Sequence, residues 1–161
     1  SAWNADPKRI PVDSQSAGGG LSAAIALRAA ATRDFTLCMQ LLHYSALDNY
    51  QAVLPDGNER SRVFSKLYSD GDDQVLKNPY CSPYFATDEM IKGLPQTVII
   101  NAGHCPFKKD NEEYGLRLAA VGNEVTIKCF MDSPHGFTIR MAGEWQEAQA
   151  FIVRKINEAS L

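Results

Sequence analysis

The sequence predicts an α/β protein: about four parallel strands with helices on both faces of the sheet. Three observations predict it. Apolar runs of strand length alternate four times with helix-favouring segments. Two of the runs, TLCMQLLHY (36–44) and QTVIINAG (96–103), are apolar without alternation, which suits parallel strands buried on both faces. The composition, 45% hydrophobic and 22% charged over 161 residues without an internal repeat, is that of a single globular domain spanning 1–161.

The elements follow in order. Residues 9–14, which include Ile10, Pro11 and Val12, read as a short strand. Residues 18–32 are rich in Ala and Leu and read as a helix. Residues 36–44 are the second strand. The stretch 46–83 is the least regular; a short helix fits Glu59 to Tyr68, and SDGDDQ (69–74) reads as loop. Residues 96–103 form the third strand. Residues 110–121 form a helix whose acidic first turn suits the macrodipole, with Gly122-Asn123 as its stop. Residues 124–132, EVTIKCFMD, are the fourth strand. Residues 143–159 are the last helix, with Trp145, Ala148, Ile152 and Ile156 on one stripe. The crossovers between strands are expected to be right-handed.

Charge and cysteine content narrow the partners. Sixteen basic and nineteen acidic residues are interspersed and give a net charge of −3, so no nucleic-acid or anionic-membrane partner is expected. No apolar run reaches the roughly 18 residues of a membrane span, and no stretch has the order of a signal peptide. The four cysteines (Cys38, Cys81, Cys105, Cys129) are widely spaced and read as reduced thiols of a cytoplasmic protein.

In a parallel sheet of this class, reactive groups gather at the carboxyl ends of strands. Ser16 follows the first strand, His104 and Cys105 the third, and His135 the fourth. A serine hydroxyl needs a base to take its proton, and a histidine base needs a third group to hold it. The small residues Ala17, Gly18 and Gly19 allow a sharp turn after Ser16 and let the Ala17 amide serve a developing oxyanion. The chain order nucleophile, acid position, base is that of a nucleophile elbow.

Residues 6–27, DPKRIPVDSQSAGGGLSAAIAL, resemble the elbow of the hormone-sensitive-lipase-like branch of α/β-hydrolase esterases. Residues 78–137, from NPYCSPYF to SPHGF, resemble the rest of that family's catalytic half. The resemblance implies a carboxylic-ester hydrolase working through an acyl-enzyme, with Ser16 as nucleophile, His135 as general base, a small acyl ester as substrate and no cofactor or metal. It also implies three departures. Ser14 stands where the family has Gly, and its hydroxymethyl group is expected to crowd the turn. Cys105-Pro106-Phe107 stands where the family has Asp-Pro-Leu, so the acid position holds a neutral thiol. The family's His-Gly-Gly-Gly oxyanion loop, the first half of its eight-stranded sheet and its cap lie upstream of the matched region. This chain is therefore expected to hold a partial fold, the last four strands in sequential order, with an open edge at the strand near Val12, shielded by a second copy in a homo-oligomer.

Each assignment has a plainer counterpart. His104 reads as structural rather than catalytic. Asp110 and Asp132 are possible stand-in acids, yet each suits a solvated element end. Cys81, Cys105, Cys129, His104 and His135 show no CxxC or HxxxH spacing, so zinc is not expected. Two functions follow from the same residues: a serine esterase impaired at position 105, or an inactive remnant of the fold that persists as a self-associating or binding module.

Overall fold

The computed structural model describes residue 6, residues 9–55, residue 57 and residues 59–159. Four strands form one sheet in the order β1-β2-β3-β4: β1 Pro11–Gln15, β2 Met39–His43, β3 Gln96–His104 and β4 Val125–Pro134. Every pairing is parallel. The parallel sheet expected from the alternation, and the sequential order that the family resemblance implies, are therefore those observed. Pro7 and Lys8, within the stretch 6–27, lie outside the described residues. β1 is the first strand of the sheet and, among the described residues, pairs with β2 alone.

Alternation along the strands sorts the core into two layers. Leu42 of β2 and Ile99 of β3 meet Ala23, Ala26 and Leu27 of α1 (Ala17–Thr32) and Tyr114 and Leu118 of α5 (Lys108–Ala120) on one face. Leu41, Val98, Ile100 and Phe130 line the other face. There they meet Phe137 of the short α6 (Phe137–Arg140) and Ala148 of α7 (Trp145–Ala159). Trp145, Ile152 and Ile156 pack against that same layer, so the stripe read from the last helix is its core-facing side.

The helix over 59–68 forms as α2 (Glu59–Tyr68). Two other assignments change. The apolar run 36–44 yields a strand of only five residues, Met39–His43. Apolarity marks burial rather than pairing, and Tyr44 leaves the strand at φ 37°. The segment 69–74 is not all loop. Asp72 accepts the Gln74 N–H at 2.8 Å and caps α3 (Asp73–Leu76). A second capped turn, α4 (Asp88–Ile91), starts at Thr87. No helix among the described residues is long and apolar enough to cross a membrane.

Candidate active site

The carboxyl ends of β1, β3 and β4 carry the residues named above. Ser16 sits between β1 and α1 at φ 54°, ψ −123°, a conformation rarely adopted by residues with a side chain. Its backbone holds it there. The Ser16 N–H donates to the His43 carbonyl at 2.9 Å, and the Ser16 carbonyl accepts from Ala46 N–H at 2.9 Å and Gly19 N–H at 3.1 Å. The glycines make this close approach possible. A Cβ on Gly19 would collide with the Ser45 side chain, and one on Gly20 with the Ala46 carbonyl. Gly18 likewise leaves room for the Ser14 hydroxyl, so the turn forms with Ser14 in place.

His135 follows β4, and its ring reaches both partners. Nε2 lies 2.9 Å from Ser16 Oγ, and Nδ1 lies 3.1 Å from Cys105 Sγ. Edge-on contacts with Tyr44 (centroids 5.1 Å apart) and Phe107 (5.4 Å) fix the imidazole plane. Tyr44 is itself anchored: its hydroxyl donates to Gln15 Oε1 at 2.6 Å and lies 2.6 Å from Thr138 Oγ1. Burial lowers the His135 pKa below its ordinary value, and the guanidiniums of Arg140 and Arg60 lower it further. The imidazole is thus neutral near pH 7, the form a general base needs. Burial pushes the Cys105 thiol up to about 11, so it stays protonated. The Ala17 N–H, next along the chain, is one of the first-turn amides of α1 that have no acceptor within the helix.

Of the remaining candidates, His104 is exposed at the end of β3. Asp132 lies on an exposed stretch, and its N–H donates to Glu144. Asp110, in the first turn of α5, is raised to about 6 by burial and then by Asp48 and Glu113. The group against Nδ1 is Cys105.

Three features escaped the sequence reading. Asn111 is fully buried beneath the site. Its Oδ1 accepts the Ser45 N–H at 3.1 Å, and its Nδ2 donates to the carbonyls of Ser45 (2.7 Å) and Phe107 (2.6 Å). A polar residue on the same inward stripe as Tyr114 and Leu118 was the available signal. Asn111→Ala leaves a buried amide and carbonyl unpaired in the segment that holds the Ser16 turn. It is expected to cost roughly 2–3 kcal/mol, a fall in Tm of about 5–10 °C by calorimetry.

The other two features are cavities flanking Ser16. One, of about 430 Å³, is walled by Leu21, Phe64, Tyr68 and Cys81. The other, of about 400 Å³, is lined by Tyr44, Phe107, His135, Arg60 and Arg140. Phe64 of α2 stands between them and lines both.

A serine at a strained strand-to-helix turn, touching a histidine from the end of another parallel strand, defines an α/β-hydrolase type of domain. The comparisons agree. A family profile described as alpha/beta hydrolase fold matches residues 1–139. Mouse (Mus musculus) hormone-sensitive lipase is 34% identical over 84 residues, 51% of this chain and 11% of the lipase. Esterase LipI of Mycobacterium tuberculosis is 32% identical over 143 residues, 83% of this chain and 44% of LipI. The hyperthermophilic esterase of Pyrobaculum calidifontis superposes with a TM-score of 0.83 at 25% identity, covering 96% of this chain and 54% of that one. The chain belongs to the hormone-sensitive-lipase-like, esterase/lipase-type family of α/β hydrolases. It spans between about a tenth and about a half of the length of these relatives.

Proposed function

We propose that this chain is a carboxylic-ester hydrolase acting through an acyl-enzyme on Ser16, slowed by the residue at position 105. The observation that carries this reading is the 2.9 Å contact between Ser16 Oγ and His135 Nε2 at the sheet rim. His135 Nε2 takes the Ser16 proton as Oγ attacks the ester carbonyl. The Ala17 N–H helps hold the tetrahedral oxyanion. His135 then returns the proton to the departing alkoxide, and water, activated by the same imidazole, releases the acid. Short acyl esters fit the cavity beside Ser16, and the names of the esterase relatives support the substrate class. The unpaired cysteines suit the cytoplasm.

The neutral thiol at 105 favours a second reading, an inactive remnant with the same outline. A p-nitrophenyl alkylphosphonate separates the two. Its attack by an activated serine releases one p-nitrophenolate and leaves a phosphonyl group on Ser16, read by peptide mass spectrometry. Labelling confined to Ser16 is expected; an unlabelled Ser16 after prolonged exposure overturns the esterase reading.

A further inference from the structure

The two cavities on either side of Ser16 differ in chemistry, and the position of His135 says which arm of an ester each receives. The imidazole must protonate the leaving alkoxide, so the alcohol arm lies on its side of Ser16. The cavity on that side contains His135, Arg60 and Arg140, and among the described residues no carboxylate lines it. The opposite cavity, between Leu21, Phe64 and Tyr68, is walled largely by apolar groups and receives the acyl arm.

Both arginines are placed by their surroundings. Arg60 lies over the Phe64 ring, 5.6 Å from its centre. Arg140 folds back along Gly136, the residue after His135; a Cβ there would sit 3.5 Å from Arg140 Nε. Neither guanidinium has an ion-pair partner among the described residues. The chain as a whole carries a net charge of −3, so this pair is local and not part of a general basic surface. Two guanidiniums beside one reacting centre, without an ion-pair partner among the described residues, match a carboxylate, whose two oxygens accept their paired N–H donors.

We propose that the site selects esters whose alcohol portion carries a carboxylate, held by Arg60 and Arg140, with the acyl group in the apolar cavity. This inference rests on the esterase reading above and adds its substrate class. In the reaction, Ser16 Oγ forms a bond to the acyl carbon as the bond from that carbon to the alcohol oxygen breaks. The Ser16 proton passes through His135 Nε2 to that oxygen, and the hydroxy acid leaves. Water then cleaves the acyl-serine and restores the hydroxyl.

The test uses a matched pair of esters, 4-acetoxybenzoate and methyl 4-acetoxybenzoate, each rate divided by its spontaneous hydrolysis. The chain is expected to prefer the anionic ester in kcat/KM by roughly tenfold, the scale of two partly solvated charge contacts. Arg60→Gln/Arg140→Gln should abolish that preference. The same guanidiniums bear on His135, so both rates move, and the ratio isolates the contact with the carboxylate. Raising the salt concentration about tenfold should shrink the preference in the unaltered chain. No preference, or one that survives the double substitution, overturns the proposal. Binding gives an independent readout: titration with 4-acetamidobenzoate and its methyl ester, amides the site does not turn over. If neither ester is hydrolysed faster than by Ser16→Ala, the esterase reading fails by itself. The anion site still stands if the carboxylate form binds about tenfold tighter and the double variant loses that difference, and it falls if it does not.

Discussion

Cys105→Asp is expected to raise kcat/KM for p-nitrophenyl butyrate by roughly 10²- to 10⁴-fold. In a serine protease, replacing the triad acid by a neutral group of the same shape lowered the rate about 10⁴-fold, because the histidine then held the wrong tautomer. This chain carries the neutral group already. Sγ lies 3.1 Å from Nδ1, and the thiol, held up at about 11 by burial, keeps its proton across the whole neutral range. An S–H donated to Nδ1 places the imidazole proton on Nε2, the atom facing Ser16 Oγ at 2.9 Å. In that tautomer Nε2 cannot take the serine proton. A carboxylate at 105 accepts from Nδ1–H and leaves Nε2 bare; its oxygens also reach slightly farther from Cβ than Sγ does. Cys105→Ser, neutral like the thiol, should show no such gain.

The pH profile provides a second signature of the same change. In the unaltered chain burial, then Arg140 and Arg60, depress the His135 pKa, so the acid limb of kcat/KM falls below pH 6.5. A neighbouring carboxylate favours the imidazolium, so the limb in Cys105→Asp should move to higher pH. A rate gain without that displacement would mean that the carboxylate acts elsewhere. Neither change, in a variant that unfolds at the temperature of the original, would remove position 105 from the mechanism.

The candidate site residues are legible where local chemistry dictates them. Ser16 stands out because a short strand meets three glycines and an alanine-rich helix, and a serine at that apex can only be turned sharply. His135 and Cys105 follow the ends of strands that their apolar runs announce. What surrounds them was not legible, because it arises between elements far apart in the chain. Asn111 binds the backbone of Ser45, 66 residues away; its place on the inward stripe of α5 marks it as buried, but nothing near either residue names the partner. Tyr44 reads as the end of an apolar strand, yet it turns at φ 37° and lays its ring against His135. Helix α2 forms where the sequence suggests a short helix, but nothing in residues 59–68 gives the place of its aromatic side chains. That Phe64 divides the space beside Ser16 depends on how the irregular stretch 46–83 folds back over the rim.

Ser16→Ala is expected to remove hydrolysis in both backgrounds, by very different factors. In a serine protease with a complete triad, loss of the nucleophile costs about 10⁶ in kcat, and the members act as one unit rather than additively. With Cys105 in place most of that advantage is already absent, so the substitution should cost only about 10²-fold. In the Cys105→Asp background it should cost about 10⁴-fold or more. Two thiols could mimic a residual serine activity with activated esters, and their settings differ. Cys105 is buried and stays protonated, whereas Cys81 lines the cavity beside Ser16, its pKa raised by burial. Steady turnover, not the first burst of p-nitrophenol, is therefore the quantity to compare, with Cys81→Ala as the control. The difference between the two factors is the coupling between positions 16 and 105, which touch only through the His135 ring. If Ser16→Ala costs the same factor in both backgrounds, the imidazole does not link them and Ser16 is not its partner in catalysis.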